Sequence, residues 1–257
     1  MPLTITPEII AKLRAVTLEA GEKILEIYAT DFAVYEKDDE SPVTVADQAA
    51  EKIITPVLQS IWPDVPVVGE EAASDGDIPD ISNGAFWLVD PVDGTKQFIQ
   101  RKDEFTVNIG LIEDQQPIFG IVYVPVLGDL YIGGPDGATL ENIKQGGGAK
   151  PIACRPVPEK GIVAVASRSH RTPETDAYLN KLDLADCVSF GSSIKFCMVA
   201  KGVADVYPRF GPTMEWDTAA AHAVLRAAGG DVTQVDGSAF LYAKPGFRNP
   251  DFIAKGA

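Results

Sequence analysis

One segment decides the fold around it and contains the densest group of candidate functional residues in the chain: Phe86-Trp87-Leu88-Val89-Asp90-Pro91-Val92-Asp93-Gly94-Thr95-Lys96. The apolar residues before Asp90 are typical of a buried strand, which would carry that carboxylate at its carboxyl end. Pro91 lacks a backbone N–H and should stop further sheet pairing. Asp93-Gly94-Thr95 is typical of a turn into a helix. The segment therefore predicts a strand, a sharp corner and a helix start.

The two aspartates of this corner are candidate metal ligands. Asp90 and Asp93 lie three positions apart, so both carboxylates can converge on hard cations, which prefer oxygen ligands. The backbone amides after Asp93, together with the helix dipole, would form an anion site. Metal ligands beside an anion site predict a phosphate bridged to divalent ions. The alternative is a turn in which Asp93 and Gly94 only cap a helix.

Proline at position 91 argues against one phosphatase mechanism. Haloacid-dehalogenase-type phosphatases use an Asp-x-Asp-Gly-Thr pattern in which the first Asp is the nucleophile. Because Pro91 occupies the position of that nucleophile, a phosphoaspartyl intermediate is disfavoured. Attack by a metal-activated water is favoured instead.

Acidic residues elsewhere in the chain are also candidate ligands for a metal ion. Glu70-Glu71 follows the β-rich run 65–69, and Asp217 stands at the start of an alanine-rich helix. Each has an ordinary explanation, because acids at a strand end usually face solvent and an acid in the first helical turn stabilises the helix dipole. Only their combination with Asp90 and Asp93 would make a metal site.

The composition disfavours several classes of protein. The 257 residues include 37 acidic and 22 basic side chains, a net charge of −15, which disfavours binding to nucleic acid. Hydrophobic residues make up 46%, which is typical of a globular chain. We expect no membrane span, because no apolar stretch is long enough. The three scattered cysteines and the lack of a secretory signal pattern predict a cytoplasmic protein.

In the first half, periodicity predicts helices followed by strands. Thr6-Pro7-Glu8 is typical of a capped helix start, and the apolar spacing extends this helix to Tyr28. Thr44-x-x-Asp47 resembles a capping box that opens a second helix towards Ser60, which Pro56 should kink or end. Strands are predicted at 65–69, 86–90, 105–113 and 118–124, the last two as a meander. This half is expected to be α+β with a largely antiparallel sheet.

The second half alternates strands with helices. Strands are predicted at 162–167, 187–191, 204–207 and 232–235, and helices at 173–182, 192–201 and 216–228. This pattern indicates α/β layering. The flexible stretch Gly146-Gly147-Gly148 marks the best division. We therefore expect an N-terminal part, 1–150, with most of the candidate metal ligands, and a C-terminal part, 151–257, with the last candidate metal ligand. Both parts are expected to belong to one compact unit.

Three acidic segments occur in a fixed order: Gly69-Glu70-Glu71, then Asp90-Pro91-Val92-Asp93-Gly94-Thr95, then Trp216-Asp217-Thr218-Ala219-Ala220. Together they resemble the signature of the inositol monophosphatase superfamily, lithium-sensitive and magnesium-dependent phosphomonoesterases. Further segments resemble its CysQ-type 3′(2′),5′-bisphosphate nucleotidase branch: Ser41-Pro42-Val43-Thr44-x-Ala46-Asp47, Asp93-Gly94-Thr95-Lys96-x-Phe98-Ile99, Glu104-Phe105-Thr106-Val107-Asn108-Ile109, Ser167-Arg168-Ser169-His170, Gly191-Ser192-Ser193-x-Lys195-Phe196-Cys197 and Tyr207-Pro208-Arg209-Phe210-Gly211-Pro212-Thr213. The resemblance covers about residues 8–253 and implies a layered αβαβα sandwich.

The resemblance implies a cofactor of two or more Mg²⁺ ions and a set of catalytic residues. The implied metal ligands are the carboxylates of four acids and one backbone carbonyl: Glu70, Asp90, Asp93, Asp217 and Val92. The implied catalytic residues are Asp47, Thr95 and Glu70, of which Asp47 and Thr95 would orient and deprotonate the attacking water. Gly94 and Thr95 would hold the scissile phosphate through their backbone amides.

The implied substrate is a small nucleotide bisphosphate. His170, Ser192, Lys195 and Arg209 would hold the nucleotide and its non-scissile 5′-phosphate, and the remaining substrate contacts would come from Glu70, Val92, Asp93, Gly94, Thr95 and Asp217. The reaction expected is hydrolysis of the 3′-phosphate of adenosine 3′,5′-bisphosphate to AMP and phosphate during sulfur assimilation, with the sulfated nucleotide as a further substrate. Inositol phosphates or fructose 1,6-bisphosphate are alternative substrates. A catalytically silent binding protein is a third hypothesis, which the intact set of acids disfavours.

Several properties stay open at this level. They are the choice between monomer and homodimer, the number of metal ions in turnover, and peripheral association with the cytoplasmic face of the inner membrane. His222 and Cys197, by contrast, are expected to be structural: Cys197 as a thiol that packs a helix rather than a nucleophile.

Overall fold

The structure, a computed structural model, describes residues 3–30, 42–168 and 171–256. Ser41, Ser169 and His170 of the segments quoted above therefore lie outside the described residues. The helices are α1 (Pro7–Tyr28), α2 (Pro42–Ile61), α3 (Glu70–Ser74), α4 (Thr95–Ile99), α5 (Pro173–Leu179), α6 (Ile194–Ala200) and α7 (Ala219–Ala227), with a 3-10 turn at Pro245–Phe247. The strands are β1 (Val67–Gly69), β2 (Ala85–Asp93), β3 (Thr106–Glu113), β4 (Gln116–Val124), β5 (Asp129–Gly134), β6 (Gly137–Asn142), β7 (Lys150–Ile152), β8 (Ile162–Ser167), β9 (Leu184–Phe190), β10 (Val206–Arg209), β11 (Asp231–Gln234) and β12 (Phe252–Lys255).

The strands form two sheets. The first has seven strands in sequence order, β1 to β7, and every pair is antiparallel except β1 with β2. The second has five strands in the order β11-β12-β10-β8-β9, with β8 parallel to both of its neighbours. The predicted meander of β3 and β4 and the largely antiparallel first sheet are confirmed.

The helices separate the two sheets and cover their outer faces. Successive residues of β2 point to different cores: Trp87 packs with α1 and α2, whereas Phe86 and Leu88 pack with α6 and α7. On the other side of α6 and α7 lies the five-stranded sheet, whose far face packs against α5. The result is the layered αβαβα sandwich that the family resemblance implied.

A row of three glycines lets α7 lie directly on the seven-stranded sheet. Gly110 pairs with Gly120 and Gly120 with Gly133, so they are neighbours across β3, β4 and β5. A Cβ atom on Gly120 would lie 2.0 Å from the backbone oxygen of Ala220, and one on Gly133 would lie 2.4 Å from the Cα atom of Val224. No side chain fits at these positions, so the close contact fixes where α7 begins relative to the sheet.

Helix α2 differs from the prediction at its start. It runs Pro42–Ile61, so Thr44 lies within its first turn instead of capping it, and Pro56 does not end it. An interior proline costs a helix about 3 kcal/mol. Burial offsets that cost, because four apolar residues at four-residue spacing are fully buried: Ala46, Ala50, Ile54 and Leu58.

Strand β2 continues through Pro91, so the expectation that this proline stops pairing was wrong. The register with β3 shifts between Asp90 and Asp93 and resumes where Asp93 pairs with Thr106. Such a bulge accommodates proline, since the residues within it need no ladder hydrogen bond, and bulges re-aim side chains next to active sites. Asp90 therefore lies inside the strand and not at its carboxyl end.

Some elements were not predicted from the sequence. They are the short helix α3 and the strands β5, β6, β7 and β12. β5 and β6 form a hairpin around Pro135-Asp136, in which glycines at 133, 134 and 137 weaken the strand pattern. β7 pairs with β6 and lies across the expected division at residue 150. The division into an N-terminal and a C-terminal part stays a prediction.

Among the described helices, none combines the length and the apolar character needed to cross a membrane.

Substitution of Gly120 by alanine should lower the free energy of unfolding by roughly 1–3 kcal/mol or more, because the new Cβ atom would collide with backbone and not with a movable side chain. Urea unfolding followed by circular dichroism measures the change. Gly256→Ala is the matched control, since its Cβ would meet its nearest neighbour at an ordinary 3.4 Å. Equal stability of the two variants would contradict the close packing of α7.

Candidate active site

Three carboxylates from distant parts of the chain lie within one small volume. Glu70 opens α3 directly after β1, Asp90 precedes the bulge of β2, and Asp217 lies two residues before α7. Each offers a carboxylate oxygen, and the three oxygens lie within 4.8 Å of one another. The tertiary structure therefore brings together acids that are separated by up to 147 positions in the sequence. Oxygen-only donors at this spacing fit a hard divalent cation.

Asp93 lies in the same cavity but has other partners. Its Oδ2 atom accepts a hydrogen bond from the backbone N–H of Ser193, at the start of α6. The positive charges of Lys195 and Arg209 and the nearby side-chain amide of Asn108 also act on the Asp93 carboxylate. These contacts lower its pKa, although burial has the larger effect and leaves the pKa raised overall. Asp93 thus joins the acidic cluster to the second half of the chain.

Burial and mutual repulsion make this cluster electrostatically unfavourable without a cation. Desolvation is the largest effect on the pKa values of all three acids. The charges of neighbouring acids come next for Asp90 and Asp217, whereas for Glu70 a hydrogen bond with Asp90, which lowers the pKa, comes before them. The pKa of Glu70 is raised to about 7, and those of Asp90 and Asp217 rise well above the ordinary value.

Asp90 is 1% exposed and its Oδ1 atom has no hydrogen-bond partner. A buried oxygen without a partner is what a metal ligand leaves when no cation is bound, so the donor set fits a metal ion.

Asp47 lies beside the cluster within α2. It is buried, its pKa is raised to about 9 by desolvation and then by Glu70 and Glu71, and the backbone N–H of Val92 donates a hydrogen bond to it. Its Oδ1 atom has no partner. Asp47 is the one predicted site residue within the described ranges that does not line the cavity.

Gly94 and Thr95 form the corner between β2 and α4. Gly94 has a φ of 103°, in the left-handed region, and a Cβ atom there would lie 2.9 Å from the backbone oxygen of Glu104. Only glycine meets both constraints without strain. Thr95 opens α4 and is exposed in the cavity wall. The predicted helix start at Asp93-Gly94-Thr95 is therefore confirmed.

The second half of the chain contributes two buried cationic side chains. Lys195 donates a hydrogen bond to the backbone oxygen of Ser192, and its Nζ atom lies 5.2 Å from the centre of the Tyr207 ring. Desolvation lowers its pKa to about 8 even though Asp93 acts in the opposite direction. Arg209 donates to the backbone oxygen of Pro212 at 3.0 Å, whereas its Nε atom has no partner. These groups suit an anion, since buried cations need a compensating charge.

One cavity of about 340 Å³ contains these groups. The predicted site residues that line it are Glu70, Asp90, Val92, Asp93, Gly94, Thr95, Ser192, Lys195, Arg209 and Asp217. His170 lies outside the described residues. The volume is within the usual range for a site that binds a small molecule.

Sequence reasoning gave no role to three polar residues next to this cavity. Thr106 and Asn108 alternate along the otherwise apolar strand β3, and Ser193 precedes α6; all three are buried. Polar residues within a buried strand need hydrogen-bond partners, and that signal could have singled out the first two.

His222 and Cys197 are structural within the described chain, as predicted. Nδ1 of His222 lies 3.0 Å from the hydroxyl of Tyr242, and Nε2 lies 2.8 Å from Asp231. The Cys197 thiol is fully buried in the core and its pKa is raised to about 12, so it is a poor nucleophile.

Without divalent cations, the stability of the protein should depend on pH. The folded-state pKa values of Glu70, about 7, and Asp47, about 9, exceed the ordinary carboxyl value near 4, so the folded state retains protons that the unfolded chain releases. In EDTA the free energy of unfolding should therefore be highest at acidic pH and should fall as pH rises through 7 towards 9. Urea midpoints at about pH 5.5 and about pH 8.5 measure the fall.

Added Mg²⁺ should raise the midpoint at the higher pH, because a ligand that binds only the folded state stabilises it. Asp90→Asn removes one of the repelling charges and should reduce both the fall in EDTA and the gain on adding Mg²⁺. A midpoint in EDTA that does not change with pH would contradict the mutual repulsion of these acids.

The chain is similar to known proteins over nearly its whole length. The 3′(2′),5′-bisphosphate nucleotidase CysQ of Salmonella typhimurium is 43% identical over 236 residues, which are 91% of this chain and 94% of that protein. CysQ of Escherichia coli strain K12 is 44% identical with the same coverage.

Solved structures and a family model agree with these relatives. The crystal structure of CysQ from Bacteroides thetaiotaomicron, a bacterial member of the inositol monophosphatase family, matches with a TM-score of 0.84 at 40% identity and covers 96% of both chains. An inositol monophosphatase from Zymomonas mobilis shares the fold, with a TM-score of 0.81 at 22% identity over 99% of this chain and 94% of its own. The model of the inositol monophosphatase family matches residues 6–254. This chain belongs to the inositol monophosphatase family.

Proposed function

We propose that this chain is a metal-dependent 3′(2′),5′-bisphosphate nucleotidase that hydrolyses the 3′-phosphate of adenosine 3′,5′-bisphosphate to AMP and phosphate. The observation that carries the proposal is that one cavity contains both a cluster of carboxylates and two buried cationic side chains, Lys195 and Arg209. The carboxylates suit metal ions, and the cations suit a second anionic group of the substrate. The 43–44% identity to curated CysQ nucleotidases supports the choice of substrate.

The metal ions would be held by Glu70, Asp90, Asp93, Asp217 and the backbone carbonyl of Val92. We assign Mg²⁺ because the donors are oxygens only and include none of the His or Cys side chains that zinc favours. Divalent cations bound there would neutralise phosphate charge and lower the pKa of a nearby water. The unpartnered Oδ1 atom of Asp90 supports the assignment of that residue as a ligand.

Asp47 and Thr95 would orient the attacking water. Thr95 lines the cavity, and the buried Oδ1 atom of Asp47 has no hydrogen-bond partner and could accept one. The water oxygen forms a bond to phosphorus while the bond from phosphorus to the 3′ oxygen breaks in line. The leaving 3′ oxygen takes up a proton and becomes the hydroxyl of AMP.

The remaining residues would hold the substrate. The backbone amides of Gly94 and Thr95 would bind the scissile phosphate, and Lys195 and Arg209 would bind the 5′-phosphate. The unpartnered Nε atom of Arg209 supports this role, since guanidinium N–H groups match phosphate oxygens. Ser192 and His170 would complete the contacts to the nucleotide.

Other properties stay predictions. They include the oligomeric state, the cytoplasmic location and association with the inner membrane face. Turnover of the sulfated nucleotide and a part in sulfur assimilation are predictions of the same kind.

A substrate panel tests the reaction. In the presence of Mg²⁺, the purified protein should release phosphate from adenosine 3′,5′-bisphosphate faster than from inositol 1-phosphate or fructose 1,6-bisphosphate. Asp93→Asn should abolish release while circular dichroism shows an intact fold. Preference for inositol 1-phosphate would favour the alternative substrate, and undiminished turnover by Asp93→Asn would remove Asp93 from the mechanism.

Lys195→Met tests recognition of the non-scissile phosphate. This change keeps the apolar stem but removes the charge, so the KM for the bisphosphate should rise about tenfold or more, as for loss of a charged hydrogen bond. The rate with a 3′-monophosphate, which lacks the second phosphate, should change much less. Lys181→Met, at an exposed position, is the matched control. Equal losses on both substrates would show that Lys195 does not recognise the 5′-phosphate.

A further inference from the structure

Three buried side chains next to Asp93 form a closed ring of hydrogen bonds. The Oγ atom of Ser193 lies 2.8 Å from Oδ1 of Asn108 and 2.8 Å from Oγ1 of Thr106. Nδ2 of Asn108 lies 3.3 Å from Oγ1 of Thr106 and completes the ring. Thr106 and Asn108 belong to β3 of the first sheet, whereas Ser193 precedes α6 in the second half of the chain. The ring thus joins the two halves of the molecule beside the acidic cluster.

With the Asn108 amide oriented as in the structure, one arrangement of protons satisfies every member of this ring. Ser193 has a single hydroxyl proton and donates it to Oδ1 of Asn108, so the proton between Ser193 and Thr106 must come from Thr106. Oγ1 of Thr106 then accepts from one N–H of Asn108. The protons therefore run in one direction around the ring, and such chains of hydrogen bonds strengthen one another.

The Asp93 carboxylate decides the orientation of the Asn108 amide and therefore the direction of the protons in the ring. One N–H of Asn108 is used within the ring, and the amide lies close enough to the Asp93 carboxylate to lower its pKa. If the amide were rotated by half a turn, its oxygen would face that carboxylate and two buried acceptors would repel each other. The backbone N–H of Ser193 donates directly to the Asp93 carboxylate. The ring thus ties the residue that holds this carboxylate to β3, where Thr106 pairs with Asp93 in the sheet.

We propose that Thr106, Asn108 and Ser193 are positioning residues, whose ring holds the Asp93 carboxylate in the orientation that binds metal. The inference rests on the proposed function, because it assigns Asp93 to the metal site. Partners that orient a metal ligand typically contribute 10–100-fold to metal affinity or activity. Ser193 lines the cavity, whereas Thr106 and Asn108 do not.

Thr106→Val and Thr106→Ser form a matched pair. Valine keeps the shape of threonine and breaks the ring, whereas serine keeps the hydroxyl and leaves a small void. In Thr106→Val, the Mg²⁺ concentration for half-maximal activity should rise about 10–100-fold and the Mg²⁺-induced increase in Tm should shrink. The KM for the nucleotide should stay close to that of the unchanged protein. Thr106→Ser should have a lower Tm in EDTA but should regain most of the response to Mg²⁺.

A double-mutant cycle tests whether the three residues act as one unit. Ser193→Ala breaks the same ring at a different member, so the double variant with Thr106→Val should show no further loss of Mg²⁺ response. Additive losses would contradict a shared ring.

The outcomes separate this inference from the proposed function. A Thr106→Val variant that loses Tm but keeps the full Mg²⁺ response would overturn the positioning role and leave the function untouched. If the protein without substitutions responded to Mg²⁺ but released no phosphate from the nucleotide, that result would contradict the proposed function alone. If the Thr106→Ser variant responded to Mg²⁺ as weakly as Thr106→Val, that result would also count against the ring, because serine retains the hydroxyl.

Discussion

The crowding of four carboxylates in one cavity, with Asp90 buried and the other three half-buried, is the constraint on which the rest of the structure depends. Each acid loses hydration on burial, and its neighbours make ionisation still harder. Backbone donors compensate in part: Ser193 donates to Asp93, and Met214 donates to Asp217 at 2.9 Å. Bound cations would compensate the remaining negative charge of the carboxylates. A cluster of this kind persists only where the surrounding structure holds the acids against their repulsion, which a close-packed five-layer sandwich does.

The two halves of the chain contribute different chemistry to the site. Acids come from the first sheet and its corner at Asp90 and Asp93, whereas the buried cations Lys195 and Arg209 come from the second half. Asp217 enters next to α7, whose distance from the first sheet is set by the glycine row. A protein with a net charge of −15 repels anions at long range, so local cations and metal ions are needed to bind a phosphorylated substrate.

Much of the fold follows from the local pattern of apolar and capping residues along the chain. The first helix agrees with its prediction in full, because Thr6 caps it through a hydrogen bond from Ile9 and its apolar residues face one core. The longer strands likewise lie where β-rich runs indicated. The errors arose at the start of α2, which begins at Pro42 and not after Thr44, and at the Pro91 bulge, where pairing with β3 defined the strand. Glycine-rich hairpin strands gave too weak a pattern to be recognised.

For the site, the sequence by itself determined the kinds of groups: which acids, hydroxyls and cations were present, and an order along the chain that resembles one family. Their distances, their burial and the resulting pKa values were decided by the tertiary structure alone. The ring that joins Thr106 and Asn108 to Ser193 shows why, because its members come from different layers and no local pattern relates them. Hydrogen bonds and charge repulsion act over a few ångströms, and only the folded chain sets which groups come that close.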